Sequence, residues 1–335
     1  MEQLTRLLLL SAAPACLLAA ATLRVEATSL GAAEAVRVKA ASTAAAEPSR
    51  VRSSAPKAYS WIGPDGIPLP FRTRDQVEEF LRSARITSAK ELSVGITRPI
   101  RVMLEADGIR MKAVFRYVDM LKREWKSPDG VRVNYRDSFK FELAAYRLNC
   151  LLGMDQIPPT VARKLKREDF ADRSLINRFP RRTGTLQAWV EDAMTEKNRD
   201  ELGSVPPSGI YWIYQFQVMT LFDNLLFNDD RNQGNILIGP DWKIWFIDST
   251  RAFRTFRTLP TPKNLKMCDK VVWERLQALT DAEIREELDD LLTDSELKTL
   301  LIRRDRIVEH ITAMIDQKGR QRVLFDLLAA EPAAR

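Results

Sequence analysis

Asp230 opens the string Asp230-Arg-Asn-Gln-Gly-Asn235, and Asp248 follows Asn235 after twelve further residues. Phosphoryl transfer needs a group that orients or accepts a hydroxyl proton and oxygen ligands for the cation that bridges the phosphates. Two aspartates and an asparagine supply those parts. Taken singly, each is a common turn former or strand-end cap. Their setting argues for more. Ile213, Val218, Leu221 and Leu225 form a broad apolar surface that reads as a buried helix running to Phe227. Residues 236–238 and 243–247 read as short strands joined by a turn at Pro240-Asp241. Such a hairpin brings Asp248 back to the end where Asn235 leaves, so their oxygens can share one Mg²⁺ or Mn²⁺. Gly234 lets the backbone bend between them.

Composition narrows the chemistry further. The chain has one histidine, His310, and only Cys150 and Cys268 beyond the N-terminus, so a zinc site or a His-based nucleophile is not expected. Cys150 and Cys268 could form a disulfide or remain two buried thiols. The net charge of +7 favours anionic partners, among them nucleotides, acidic polymers and membrane surfaces. Basic residues are not interleaved with aromatics, so no nucleic-acid partner is expected. With 335 residues, 45% of them apolar, the chain can build one bilobal domain or two small ones.

Several elements must position these residues. Arg6 and the apolar run 7–23, followed by Val25-Glu26-Ala27, have the layout of an export signal over 1–27. Pro14 and the short run favour cleavage over an uncleaved membrane anchor. Export would place the protein in a periplasm, outside the cell or in a secretory lumen. Residues 28–57, rich in Ala, Ser and Thr, read as a flexible linker. Thr73 with Gln76 three positions on reads as a capped helix start. Segments 100–104 and 111–118, separated by Asp107-Gly108, read as a hairpin. A polar loop through Ser127-Pro-Asp-Gly130 then leads to a helix over 138–152, with Phe141, Ala145, Leu148 and Leu152 on one face and Gly153 as its stop. Strands follow at 157–161 and 184–190, and 271–328 reads as helical. Strands come first and helices later, the order of an α+β protein with two lobes.

Asp230, four intervening residues, Asn235 and then a strand-end Asp248 resemble the catalytic-loop and metal-binding spacing of protein kinases. The fuller strings, Asp230-Arg-Asn-Gln-Gly-Asn-Ile-Leu and Ile247-Asp248-Ser-Thr-Arg-Ala-Phe253, look like the atypical branch. That branch includes type II phosphatidylinositol 4-kinases, HipA-type kinases, and the secreted Golgi casein-kinase and four-jointed group with its spore-coat relatives. Upstream, Lys112-Ala-Val-Phe-Arg116, Glu142-Leu-Ala-Ala-Tyr146 and Ile157-Pro-Pro-Thr-Val161 are similar to the strand–helix–strand arrangement of the secreted group. The similarity runs over residues 95–253.

The resemblance implies a bilobal protein-kinase-like fold, with a β-rich N-lobe and lobe connection over 58–190 and a helical C-lobe over 191–330. It implies a monomeric, ATP-dependent phosphotransferase acting on an unknown hydroxyl acceptor: a protein Ser or Thr, a glycan or an inositol lipid. Asp230 would then be the catalytic group, and Asn235 and Asp248 the metal ligands. By position, Glu142 corresponds to the helix glutamate that orients the phosphate-binding cation. That cation is Arg116, where the family usually has Lys; Lys112 lies on the same strand face but ~13 Å away, and the choice between them stays open. Residues 186–190 correspond to the lobe connection at the adenine, with Gln187 and Val190 at the nucleotide and Trp189 near the ring.

This chain also departs from the family pattern. No Gly-x-Gly-x-x-Gly loop is present, and Ser93-Val-Gly95-Ile-Thr97 is the one candidate cover for the phosphates. Asn228-Asp229 stand where a His-Arg pair is usual, so Asp229 competes with Asp230 for the role of base. An exported pseudokinase, retained for binding, is the alternative favoured by Arg116. The stretch Arg163-Lys-Leu-Lys-Arg167, with Arg178, Arg181 and Arg182, reads as a solvated face or a contact for an acidic substrate. Arg251, Arg254 and Arg257 are better placed for a substrate or a γ-phosphate.

Overall fold

Helix α1 (Arg74–Ser83) begins with the expected reciprocal cap between Thr73 and Gln76 and buries Val77, Phe80 and Leu81. The structure is a computed structural model that describes residues 60–93, 97–127 and 130–332. The export signal over 1–27, the linker over 28–57 and Val94-Gly95-Ile96 of the candidate phosphate cover lie outside the described residues. Among the described residues, no helix is long and apolar enough to cross a membrane.

After α1 come β1 (Arg85–Glu91), β2 (Ile100–Ala106) and β3 (Ile109–Arg116). Asp107 and Gly108 both take positive φ, 50° and 74°, so the β2–β3 turn has the twist a two-residue hairpin needs. The next segment differs from the expectation of a polar loop. It forms a ribbon of two nine-residue strands, β4 (Asp119–Ser127) and β5 (Gly130–Ser138), paired antiparallel and separate from the main sheet. Backbone pairing from Asp119–Ser138 to Ser127–Gly130 organises this ribbon.

Helix α2 (Phe139–Leu151) starts at Ser138, whose side chain accepts from the Lys140 amide, and ends before Gly153 at φ 68°. Its expected single apolar face is too narrow a reading. Phe141, Glu142, Leu143, Ala144, Ala145, Tyr146, Leu148 and Asn149 are all buried, so neighbours cover it on most sides. Strands β6 (Thr160–Lys164) and β7 (Thr183–Ala188) complete a five-stranded antiparallel sheet in the order β1-β2-β3-β7-β6.

The helical part holds β8 (Met194–Thr195), α3 (Glu196–Glu201), α4 (Gly209–Leu226), β9 (Ile236–Ile238) and β10 (Ile244–Phe246). The expected hairpin is β9–β10, extended to three strands by β8. The chain ends with β11 (Cys268–Asp269), α5 (Lys270–Ala278), α6 (Asp281–Leu288), α7 (Asp294–Lys318), α8 (Arg320–Val323), β12 (Leu324–Phe325) and α9 (Leu327–Ala330). Two apolar clusters support this α+β arrangement. One joins α1 to the five-stranded sheet through Leu81, Leu104, Phe115 and Leu186; the other joins α2, α4 and α7 through Leu148, Phe222 and Ile311. Cys150 and Cys268 are free thiols.

Candidate active site

The site begins with how the chain leaves α4. Phe227, at φ 50°, caps the helix, and Asn228 turns back to bond Asp223 through both its amide and its side chain. Arg231 then acts as a clamp. Its Nε and Nη2 donate to the Asp223 carboxylate, while Nη1 donates to the carbonyls of Asn235 at 3.0 Å and Ile247 at 2.7 Å. The Ile247 amide in turn donates to the Asn235 carbonyl at 3.2 Å. These bonds join the start of β9 to the end of β10, so Asn235 and Asp248 emerge side by side. In the sequence, Arg231 is one cation in a polar string, and nothing there marks it as a buried clamp.

Asp248 has φ 60°, a left-handed conformation unusual for a residue with a side chain. The consequence is visible in its neighbours. The amides of Asp248 and Ser249 both donate to the Glu142 carboxylate, at 3.3 and 2.7 Å. Glu142, 1% exposed, also accepts from Gln187 Nε2 at 2.9 Å and lies 4.0 Å from Arg116 Nη1. Gln187 accepts from Arg116 at 3.3 Å and donates to Thr160. A buried carboxylate with several donors escapes the cost of an unpaired internal charge.

Arg116, Gln187, Val190, Asp230, Asn235 and Asp248 line one cleft of about 500 Å³. Glu142 lies behind its wall. Lys112 is not among the lining residues: its ammonium pairs with Glu191 at 2.7 Å. Of the two acidic candidates for the base, Asp230 lines the cleft, whereas Asp229 faces Arg254 at 3.9 Å. Trp189 also lines it, with Arg101 5.6 Å from its ring centre.

The cations proposed for substrate binding divide. Arg251 donates through Nε to Asp137 and through Nη1 to Asp230, each at 2.9 Å. Burial alone would weaken the Arg251 cation, but the hydrogen bond and charge of Asp137 outweigh it and raise the guanidinium above its ordinary value. Burial first, then Asp137, push the Tyr135 phenol beside them up to about 12. Arg163 is buried against Asp169 and the Leu81 carbonyl, so it supports the fold and faces no substrate. Arg178, Arg181 and Arg182 are exposed. Arg303, missed in the sequence, is fully buried and donates to the carbonyls of Leu225, Arg254 and Phe256. It shapes the segment after Asp248, and burial lowers its guanidinium to about 9.

Among the described residues, no three His, Cys, Asp or Glu side chains converge as a metal cluster. The cleft fits a hard cation in another way. Asn235 uses its Nδ2 on the Asp230 carbonyl at 3.5 Å, and Asp248 uses Oδ1 on the Thr250 hydroxyl at 3.2 Å. Asn235 Oδ1 and Asp248 Oδ2 accept no hydrogen bond among the described residues. An oxygen-only pair of that kind suits Mg²⁺ or Mn²⁺, which take most of their shell from phosphates and water.

The comparisons sharpen this picture. The chain matches a hydra Fam20 structure solved with sugar at 16% identity and a TM-score of 0.54, over 75% of this chain and 92% of that one. It matches a structure of the Golgi casein kinase with the same identity and TM-score, over 75% of this chain and 77% of that one. A Golgi casein kinase structure with Mn/ADP bound gives 16% identity, a TM-score of 0.52 and coverage of 75% and 78%. The fold is that of the atypical protein-kinase-like group. No protein-family profile and no curated protein sequence matches the chain. At such low identity the kinase-like likeness is one of fold, and the chemistry has to be argued from the cleft itself.

Proposed function

We propose that the protein is an ATP-dependent phosphotransferase that passes the γ-phosphate to a hydroxyl acceptor with Mg²⁺ or Mn²⁺. The observation that carries this reading is one cleft of a kinase-like fold lined by Asp230, Asn235 and Asp248 opposite Arg116. In this reading Asn235 and Asp248 hold the metal, which would neutralise charge on the transferred phosphoryl group. Arg116, fixed by Gln187 and Glu142, steadies the phosphates; its planar fork can bond two oxygens where a lysine would offer a point charge. Asp230 orients the acceptor hydroxyl and takes its proton. The backbone of 186–190, with Val190 and Trp189, holds the adenine. The Mn/ADP bound to a structurally similar kinase supports nucleotide and metal use. Acceptor classes remain protein Ser or Thr, a glycan or an inositol lipid, and the sugar in the hydra structure supports including glycans among those tested. Export through the N-terminal segment, to a secretory lumen, a periplasm or the outside, completes the reading, and the Golgi name of the similar kinases supports it.

A pseudokinase is the second reading, favoured by an arginine in the lysine position. Labelled ATP with Mn²⁺ and a panel of peptide, glycan and lipid acceptors separates the two. The proposal expects phosphate transfer in the wild type and loss on the order of 10³-fold in Asp248→Ala. Nucleotide binding without turnover in either would establish the pseudokinase.

A further inference from the structure

Asp137 is 1% exposed, yet its Oδ1 is buried without a hydrogen-bond partner among the described residues. A buried carboxylate left half satisfied costs stability, so its presence calls for an explanation outside folding. Its other oxygen, Oδ2, accepts from Arg251 Nε at 2.9 Å, with the Tyr135 hydroxyl at 3.4 Å. The opposite edge of the same guanidinium, Nη1, donates to Asp230 Oδ2 at 2.9 Å. One rigid cation thus links a buried carboxylate to the carboxylate in the cleft.

The backbone reinforces that link. Asp137 lies one residue before the end of β5, and the next amide, Ser138 N, donates to the Thr250 carbonyl at 2.8 Å. Four residues further on, Glu142 accepts the amides of Asp248 and Ser249. Segment 137–142 therefore docks along 248–251, and Arg251 is the reach from that docked strip to the catalytic loop.

We infer that Asp137 and Arg251 are positioning residues for Asp230, and that the β4–β5 ribbon delivers Asp137 to Arg251. Asp137 fixes the rotamer of Arg251 from below, and Arg251 pins one oxygen of Asp230, leaving the other for the acceptor hydroxyl. The inference rests on Asp230 being the acceptor-side carboxylate of a phosphotransferase. Arg251 on this account acts through Asp230 and not on the γ-phosphate.

The test is steady-state kinetics on the wild type and on R251A, R251K, D137N and D137A, with melting curves and Mn·ADP binding measured alongside. Misplacing a reacting group by about 1 Å costs on the order of 10²-fold. R251A and D137A should lose about that much kcat, with KM for ATP and Mn·ADP affinity unchanged. R251K, which keeps the charge without the fork, and D137N, which keeps an acceptor for Nε, should recover part of the loss. D137N should melt no lower than the wild type. Because Arg251 acts through Asp230, R251A should add nothing in a D230N background. A raised KM for ATP at unchanged kcat would assign Arg251 to phosphate and overturn the inference. Wild-type turnover in both R251A and D137A, or additive losses with D230N, would overturn it too. Absence of turnover in the wild type removes the phosphotransferase reading and the inference together, an outcome distinct from the others.

Discussion

The two walls of the cleft are built to opposite rules. On the sheet side, Arg116, Gln187, Glu142 and Thr160 bond to one another and to the amides of Asp248 and Ser249. On the loop side, Asn235 and Asp248 each keep an oxygen unbonded among the described residues, and Asp230 is held by Arg251 at one oxygen only. A fully bonded polar network fixes geometry and resists change. Open oxygens beside it are ready to take a ligand. On the proposed function, the difference teaches that the first wall supplies shape and the second supplies chemistry.

Mutations can break or sharpen that contrast. The largest stability effect should come from Glu142→Ala, which removes the acceptor of the Asp248 and Ser249 amides and of one N–H of Gln187 Nε2, and the carboxylate beside Arg116. Removing one partner from such a buried network should cost about 3 kcal/mol, read by denaturant unfolding. A cost near zero would show that the sheet-side wall is not a scaffold. A smaller change is expected outside the cleft, at Asp155, which bridges Arg74 of α1 at 2.9 Å and Lys243 beside β10 at 2.6 Å. Burial would raise this carboxyl, but Lys243 and then Arg74 outweigh it and hold it below the ordinary 3.8. Its folded value is depressed, so its contribution is present above the unfolded carboxylate value and lost as pH falls through the folded one. Asp155→Asn should lower the melting temperature at neutral pH, and the two melting curves should draw together as the pH falls below 3.8. The smallest effect belongs to Lys112→Ala. Its pair with Glu191 is partly exposed and worth about 0–1 kcal/mol, and turnover should stay close to wild type. A large loss of turnover would return Lys112 to the list of phosphate ligands.

Much of the fold was legible because its signals are local. The Thr73–Gln76 cap, the Asp107-Gly108 turn, the Gly153 stop and the β9–β10 hairpin each depend on residues within a few positions. The proximity of Asn235 and Asp248 followed from the same short hairpin. What escaped depends on distant partners. The β4–β5 ribbon pairs apart from the main sheet, and the alternation of Val131, Val133 and Tyr135 with Arg132, Asn134 and Arg136 was the signal that could have found its second strand. Arg231 carried no role in the sequence, and Arg251 read as a group for a substrate or a γ-phosphate; their bonds to Asp223 and to Asp137, the latter 114 residues from Arg251, appear only in the fold. That Glu191 captures Lys112 while Arg116 lines the cleft likewise depends on residues far apart in the sequence.

Calorimetric titration of the protein with ADP, in the presence and absence of Mn²⁺, tests most directly whether the loop-side oxygens hold a metal–nucleotide pair. The expected result is binding by the wild type that strengthens with Mn²⁺, and loss of that strengthening in Asp248→Ala while the variant melts as a folded protein. Nucleotide affinity indifferent to Mn²⁺, or equal in wild type and variant, would contradict the account.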